Sequence, residues 1–251
     1  MSRIQIHVVP ILEDNYGYII EDTQSKEAVV VDPGEAGPLQ ARLVELGLTL
    51  KAIWNTHHHD DHIAGNAELQ SHWSGCPIVG SAGDEGRIPG LSQLLKEGDV
   101  VEFGGESVQI ISIPGHTRGH IAFFFPSGHI FSGDLLFGYS CGMNFEGDLT
   151  QMYQSVSKLL TLPEHTKIYC GHEYTFNNRK FAQHVDPANT AVTERIEREV
   201  APPTIPLSLA VEKATNPFLR VHTKEVQEWS GKTDPAEVFA EVRTRKNSFK
   251  G

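Results

Sequence analysis

Cysteine is scarce in this 251-residue chain, and the three present, Cys76, Cys141 and Cys170, form no CxxC pair. An odd, sparse set argues against a disulfide framework and predicts free thiols in a reducing compartment, hence a cytoplasmic protein. Positive charge is also short: 21 Lys and Arg stand against 32 Asp and Glu, a formal net charge of -11. Polyphosphate backbones and anionic lipid surfaces need clustered Lys and Arg, so neither nucleic acid nor membrane is expected as a partner. No apolar run approaches the roughly 18 residues of a membrane span. Near the start, Glu13 and Asp14 interrupt a short apolar stretch, so no signal peptide is expected. Repeats and low-complexity tracts are lacking as well. What remains, 39% hydrophobic and 21% charged residues, is the balance of a chain that buries a core.

The first two thirds read as short strands punctuated by Gly and Pro. Residues 4–9, 16–21, 28–31, 52–54, 100–103, 108–113, 121–125, 130–132 and 167–170 are β-rich runs, while 38–46 and 149–160 have helical spacing. After about Thr175 the strand signals fade. Residues 178–184, 190–200 and 207–214 read as helical, with a break at the prolines 202, 203 and 206. Asp234-Pro235-Ala236-Glu237 is a helix start, with Asp at N-cap, Pro at N1 and Glu at N3, leading Val238, Phe239 and Val242 onto one apolar face. The layout predicts a mixed α/β domain over residues 1–174 and a smaller helical domain over 175–251.

Histidine is what the chain has in plenty, 13 in all. Six residues of the run Thr56-His57-His58-His59-Asp60-Asp61-His62 carry metal-ligand chemistry of the kind zinc, iron or manganese takes. In an extended segment His57 and His59 point one way and His58 the other. Four ligands this close in sequence do not converge on one ion, so the spacing predicts two: His57 and His59 on one, Asp61 and His62 on the other. A histidine-rich run by itself also describes a solvated loop. Three later positions argue against that reading: His116, Asp134 and His172, each preceded by Gly and each directly after an apolar run. Open α/β scaffolds place reactive groups at strand ends of this kind.

The order His-x-His-x-Asp-His, Gly-His-Thr, Gly-Asp and Gly-His resembles the metallo-β-lactamase superfamily. Asp14-Asn15-Tyr16, Cys141-Gly142, the stretch Tyr169-Cys170-Gly171-His172-Glu173-Tyr174-Thr175, Asn216-Pro217-Phe218 and Arg243-x-x-Lys246 narrow the resemblance to the glyoxalase II family of thioesterases. It implies an αββα sandwich followed by a smaller all-helical domain. It also implies two divalent ions, zinc first and iron or manganese as alternatives. By that resemblance His57, His59 and His116 hold one ion, Asp61, His62 and His172 the other, and Asp134 bridges them. Two such ions share a hydroxide and polarise a carbonyl oxygen, which suits thioester hydrolysis; Asp61 and Asp134 are the groups expected to orient that nucleophile. The family's reaction converts S-D-lactoylglutathione to glutathione and D-lactate, the second step of methylglyoxal detoxification.

The resemblance also implies glutathione contacts at the residues after Cys141-Gly142, and at Tyr174, Arg243 and Lys246. Here the chain departs from the family. Met143 stands where Lys or Arg is usual, Phe145 lacks a phenolic hydroxyl, Leu135 replaces Thr, and Ser140 replaces Gly. These changes spare the metal ligands and predict a weakened hold on glutathione or a different thiol. Cys141 and Cys170 flank ligands in sequence, but the seven-residue set is complete without them, so both are read as small buried side chains. The rival enzyme reading is a persulfide dioxygenase with one iron on two His and one carboxylate, which leaves the second-ion groups unused. A non-catalytic metal-binding module is the rival of another class; its signature is a missing ligand, and none is missing. A monomer acting on a small thioester is the expectation.

Overall fold

The computed structural model describes residues 3–250. Met1 and Ser2 of the amino-terminal stretch, and Gly251 at the end of the expected helical domain, lie outside the described residues. The chain forms two compact units. The first comprises the chain up to Ser112 together with Arg118–Gly133; the second comprises Ile113–Thr117 and the chain from Asp134 onward.

In the first unit, strands β1 (Ile4–Ile11), β2 (Asn15–Asp22) and β3 (Glu27–Val31) form an antiparallel meander. Helix α1 (Ala36–Glu45) then crosses over to β4 (Thr49–Trp54), which pairs parallel to β3. The chain continues through α2 (Asp60–Ile63) and α3 (Asn66–His72) to β5 (Ile78–Ser81) and β6 (Leu91–Leu95), both again parallel. Strands β7 (Val100–Phe103), β8 (Glu106–Ser112), β9 (Ile121–Phe125) and β10 (His129–Gly133) pair in that order, each antiparallel to the next.

The two-residue period of β3 and β4 explains the layering. Ala28, Val30 and Ile53 join Leu39 and Leu43 of α1 and Leu69 of α3 in one buried cluster, so one sheet face is roofed by helices. The alternate residues face a second layer of strands. The Trp54 ring stacks on Phe123 with centroids 4.7 Å apart, and Tyr18 meets Phe131 edge-on at 5.3 Å. Phe123 and Phe131 are fully buried, each contributing roughly 1.5–3 kcal/mol of transfer free energy. Strands covered on both faces read as continuous apolar runs, as 28–31 does.

The second unit holds the short hairpin β11 (Leu136–Phe137) and β12 (Ser140–Cys141), helix α4 (Leu149–Leu160) and strand β13 (Lys167–Cys170). Helices α5 (Thr175–Val185) and α6 (Thr190–Arg198), strand β14 (Leu207–Ser208) and helices α7 (Leu209–Thr215), α8 (Lys224–Ser230) and α9 (Pro235–Ser248) follow. Asp234 caps α9 by accepting the N–H groups of Ala236 and Glu237 at 3.0 and 3.1 Å, and Val238, Phe239 and Val242 are fully buried. Strands β5, β6, β11 and β12 and helices α2 and α3 have no counterpart in the sequence reading, and two further features of the second unit differ from it. Leu207 and Ser208, read as the start of a helix, pair with Ile168 and Lys167 as a strand, and the helix begins only at Leu209. Helix α8 was not anticipated, although Gly231, in the left-handed region at φ 71°, is the residue that ends such a helix. Among the described residues no helix is long and apolar enough to cross a membrane.

Candidate metal centre

The parallel strands of the first unit deliver its site residues. Asp32 directly follows β3 and the histidine run follows β4, both at carboxyl ends, where an open α/β sheet leaves room for a ligand. The backbone stays extended to His59 at φ -63° and ψ 143°, then turns into α2. His57 and His59 thereby meet, Nε2 to Nδ1, at 3.2 Å. His58 is engaged elsewhere: its Nδ1 lies 3.4 Å from Asp84 Oδ1, and Arg87 Nη2 lies 2.5 Å from its Nε2. His62 Nε2 lies 3.6 Å from Asp61 Oδ2, and the His57 and His62 rings are 4.2 Å apart. Asn15 Nδ2 donates to Asp61 Oδ2 at 2.9 Å and to its carbonyl at 3.3 Å, fixing that carboxylate.

The second unit gathers the other three expected ligands. Asp134 follows β10 and His172 follows β13, while His116 lies in the turn between β8 and β9. One oxygen, Asp134 Oδ2, lies 3.4 Å from His116 Nε2 and 3.3 Å from His172 Nε2. All three residues are buried. Gly142 is required beside them, because a Cβ there would sit 1.9 Å from the Asp134 carbonyl oxygen.

Hydrogen-bond polarity says what these groups can hold. A backbone carbonyl only accepts, so the 2.9 Å contact from His116 Nδ1 to the Met143 oxygen places the ring proton on Nδ1. In the neutral form of the ring, Nε2 then offers its lone pair on the side of the Asp134 carboxylate. In the first unit Asp32 does the same for His62, whose Nδ1 is 3.1 Å from Oδ2. Thr56 passes the polarity on: its hydroxyl donates to Asp32 Oδ2 at 2.7 Å and therefore accepts from His57 Nδ1 at 3.0 Å. His57 Nε2 is thus a lone pair facing His59. Buried imidazole lone pairs aimed at carboxylates repel unless a proton or a cation lies between them, and a ring held at Nδ1 by an acceptor is how proteins present Nε2 to a metal. The donor set, imidazole with carboxylate, suits zinc, iron or manganese. The residues present fit a metal.

The expected substrate contacts sit differently from one another. Met143 and Phe145 are 47% and 61% exposed, and the Phe145 ring stands edge-on to His116 with centroids 5.2 Å apart. Tyr174 stacks on His172, 4.6 Å between centroids and 8° between planes. Arg243 is buried, and its Nη1 donates to the carbonyls of Cys141 at 2.7 Å and Gly142 at 3.3 Å. Lys246 is half-buried, with its ammonium 5.4 Å from the Phe181 ring centre. Burial, and then the neighbouring Arg243 charge, lowers its pKa. Cys141 and Cys170 are buried free thiols. Sequence reasoning missed Asp32, Thr56 and His120. His120 is fully buried with its ring 4.7 Å from that of His57. The one available signal for Asp32 was its place at a strand end before Pro33-Gly34, which reads equally as a turn.

Residues 13–172 match the metallo-beta-lactamase superfamily, and residues 173–249 match the hydroxyacylglutathione hydrolase C-terminus family. A hydroxyacylglutathione hydrolase of Gloeobacter violaceus is 45% identical over 252 residues, covering 97% of this chain and 99% of that protein. The crystal structure of ETHE1 from Myxococcus xanthus superposes with a TM-score of 0.71 at 25% identity, covering 97% of this chain and 91% of that one. That of TTHA1623 in a di-iron-bound form superposes with a TM-score of 0.62 at 28% identity, covering 84% of this chain and 98% of that one. By fold, by motif order and by similarity along its length, the chain belongs to the hydroxyacylglutathione hydrolase family of the metallo-β-lactamase superfamily.

Proposed function

We propose that this enzyme hydrolyses the thioester of an S-(2-hydroxyacyl)glutathione, S-D-lactoylglutathione first, to glutathione and the 2-hydroxy acid. The name and length of the Gloeobacter relative support the reaction. The observation that carries a paired-metal reading is Asp134 Oδ2, one carboxylate oxygen within 3.4 Å of two imidazole nitrogens. In this reading His57, His59 and His116 hold one divalent ion, Asp61, His62 and His172 the other, and Asp134 serves both. Zinc is the proposed metal. Residues 1–174 act as the catalytic domain and 175–251 as the helical domain that completes the substrate site. The acidic charge and the three free thiols support a cytoplasmic protein with no nucleic-acid or membrane partner, and a monomer is the proposed state.

When bound, the ions supply Lewis acidity at the carbonyl oxygen and a nucleophile at neutral pH. The chain's own groups do the rest. Asp61, held by Asn15, and Asp134 would orient that nucleophile. Tyr174, stacked on His172, and Lys246 bind the thiol half of the substrate. Met143 and Phe145 present an apolar, exposed rim beside His116 and favour a second reading, in which the thiol carries no carboxylate at that point.

Steady-state turnover of S-D-lactoylglutathione, beside an uncharged lactoyl thioester, tests both readings. A Lys at position 143 adds a charge-assisted hydrogen bond worth on the order of 1.5–3 kcal/mol when well formed. Met143→Lys therefore lowers KM for lactoylglutathione by about ten-fold at low salt, with kcat little changed. Preference for the uncharged thioester, together with a KM raised by Met143→Lys, supports the second reading. Turnover of neither refutes the thioesterase.

A further inference from the structure

The turn between β11 and β12 is held by an ion pair that touches no expected ligand. Tyr139 lies there, fully buried and in the left-handed region at φ 62°, which a bulky residue keeps only when its surroundings impose it. The surroundings are buried polar side chains from the helices. Asn216 donates to the carbonyls of Phe137 and Ser140 at 3.2 and 3.0 Å, and Asn178 donates to that of Gly138 at 3.1 Å. Glu212 Oε2 accepts the Tyr139 N–H at 3.0 Å. Arg195 of α6 closes the arrangement. Its guanidinium lies 3.8 Å from the Tyr139 ring centre, its Nη2 is 2.6 Å from Glu212 Oε1, its Nε is 2.9 Å from Glu199 Oε1, and its Nη1 donates to Thr215 at 2.7 Å. Burial opposes the Arg195 charge, but Glu212 and then Glu199 outweigh it and raise its pKa.

Burying Arg195 at 2% exposure and Glu212 at 0% costs desolvation that apolar residues of the same size would avoid. Stability is therefore a poor reason for the pair, and geometry is a better one. The clamped hairpin leads on one side to Asp134 and on the other to the Met143 carbonyl that sets the His116 tautomer. Gly142 N–H donates to the Leu135 carbonyl at 3.1 Å, so a shift of the turn moves both ends together. We propose that the Arg195–Glu212 pair positions Asp134 and His116 for metal binding, acting through the Tyr139 turn. This rests on the metal-centre reading above.

Metal-stripped protein titrated with cobalt(II) tests it, read by cobalt absorption and by competition with a chromophoric chelator. Arg195→Met with Glu212→Leu removes both charges and the acceptor for Tyr139 N–H. Arg195→Met with Glu212→Gln removes the charges and keeps an acceptor. The first variant is expected to bind cobalt about ten-fold or more weakly with an altered spectrum, the cost typical of losing an outer partner of a ligand. The second is expected to recover only part of that loss, the share that the Tyr139 N–H contact carries, and not the share that Arg195 carries under the ring. Melting of the metal-free proteins separates folding from positioning. If the first variant does not fold, Tyr139→Gly takes its place, since Gly accepts φ 62° and keeps the N–H to Glu212 but loses the ring under the guanidinium, and a smaller weakening is expected. Cobalt affinity and spectrum like wild type in a folded variant overturn the proposal, as does a Gln variant no better than the Leu one. A wild-type chain that takes up no cobalt overturns the metal centre itself and this inference with it.

Discussion

Asp32 Oδ2 lies 3.1 Å from His62 Nδ1, and that contact decides which nitrogen of the ring is the basic one. Through Thr56 the same carboxylate also sets His57. A residue that binds no metal in the proposed set thus orients two that do.

Asp32→Asn isolates this effect, because Asn tolerates the φ of 51° that Asp32 adopts. Metal affinity is expected to fall about ten-fold or more, and the metal-free melting temperature to fall as well, since an amide cannot accept from the Thr56 N–H, the Thr56 hydroxyl and His62 together. Chelator competition on the purified variant measures it; unchanged affinity means that Asp32 serves only the fold.

Two glycines near α1 make a matched pair. A Cβ on Gly34 would sit 1.9 Å from the Asp61 carbonyl oxygen, which is backbone and cannot swing aside, whereas nothing lies within 4 Å of one on Gly37. Gly34→Ala is expected to lower both metal content and stability. Gly37→Ala, inside α1, is expected to stabilise by about 0.5–1 kcal/mol. Urea midpoints and metal analysis of the two variants provide the comparison.

Arg3 holds Asp22 by two hydrogen bonds, Nε to Oδ1 at 2.7 Å and Nη2 to Oδ2 at 2.5 Å. That pairing, aided by Ser25 and the Gln24 N–H against the cost of burial, keeps the Asp22 carboxyl well below the usual aspartate range. A depressed carboxyl stabilises the fold above its unfolded pKa, and the contribution disappears as pH falls through the folded value. Asp22→Asn is therefore expected to lower the urea midpoint at neutral pH, and its gap to wild type should close in strong acid. A gap that is constant with pH would exclude the ion pair as its cause.

Burial pushes the Cys76 and Cys141 thiols up to about 11 and Cys170 well above its ordinary value. Thiolate is the reactive form, so iodoacetamide at neutral pH should label none of the three in the folded protein and all three in urea. Cys141→Ala and Cys170→Ser are expected to keep their metal; loss of metal in either would make that sulfur a ligand.

Removing the last helix is a poor test of substrate binding, because Val238, Phe239 and Val242 are fully buried and Arg243 holds the 141–142 carbonyls. Lys246→Ala is the cleaner change. A contact to a remote carboxylate is mostly uniform binding, so KM should rise more than kcat falls. An unchanged KM would leave Lys246 a packing role over Phe181.

The local signals were legible in the sequence. The period-two runs became strands because their alternate residues are covered on two faces, and Asp234-Pro235-Ala236-Glu237 started a helix because capping is a contact between near neighbours. The ligand types were legible too, since Gly before His or Asp at a strand end is a feature of a few consecutive residues.

What only the tertiary structure decided were relationships between residues far apart in the chain. Leu207 became a strand because Ile168 offered a backbone partner, which no local propensity records. Asp32 looked like a turn residue until folding brought Thr56 and His62 to it across 24 and 30 positions. Arg243, which the resemblance puts at the substrate, has its Nη1 on the Cys141 carbonyl 102 residues away. Side-chain chemistry is written in the sequence, but the protonated face of an imidazole and the partner of a buried charge depend on which distant acceptor the fold places beside them.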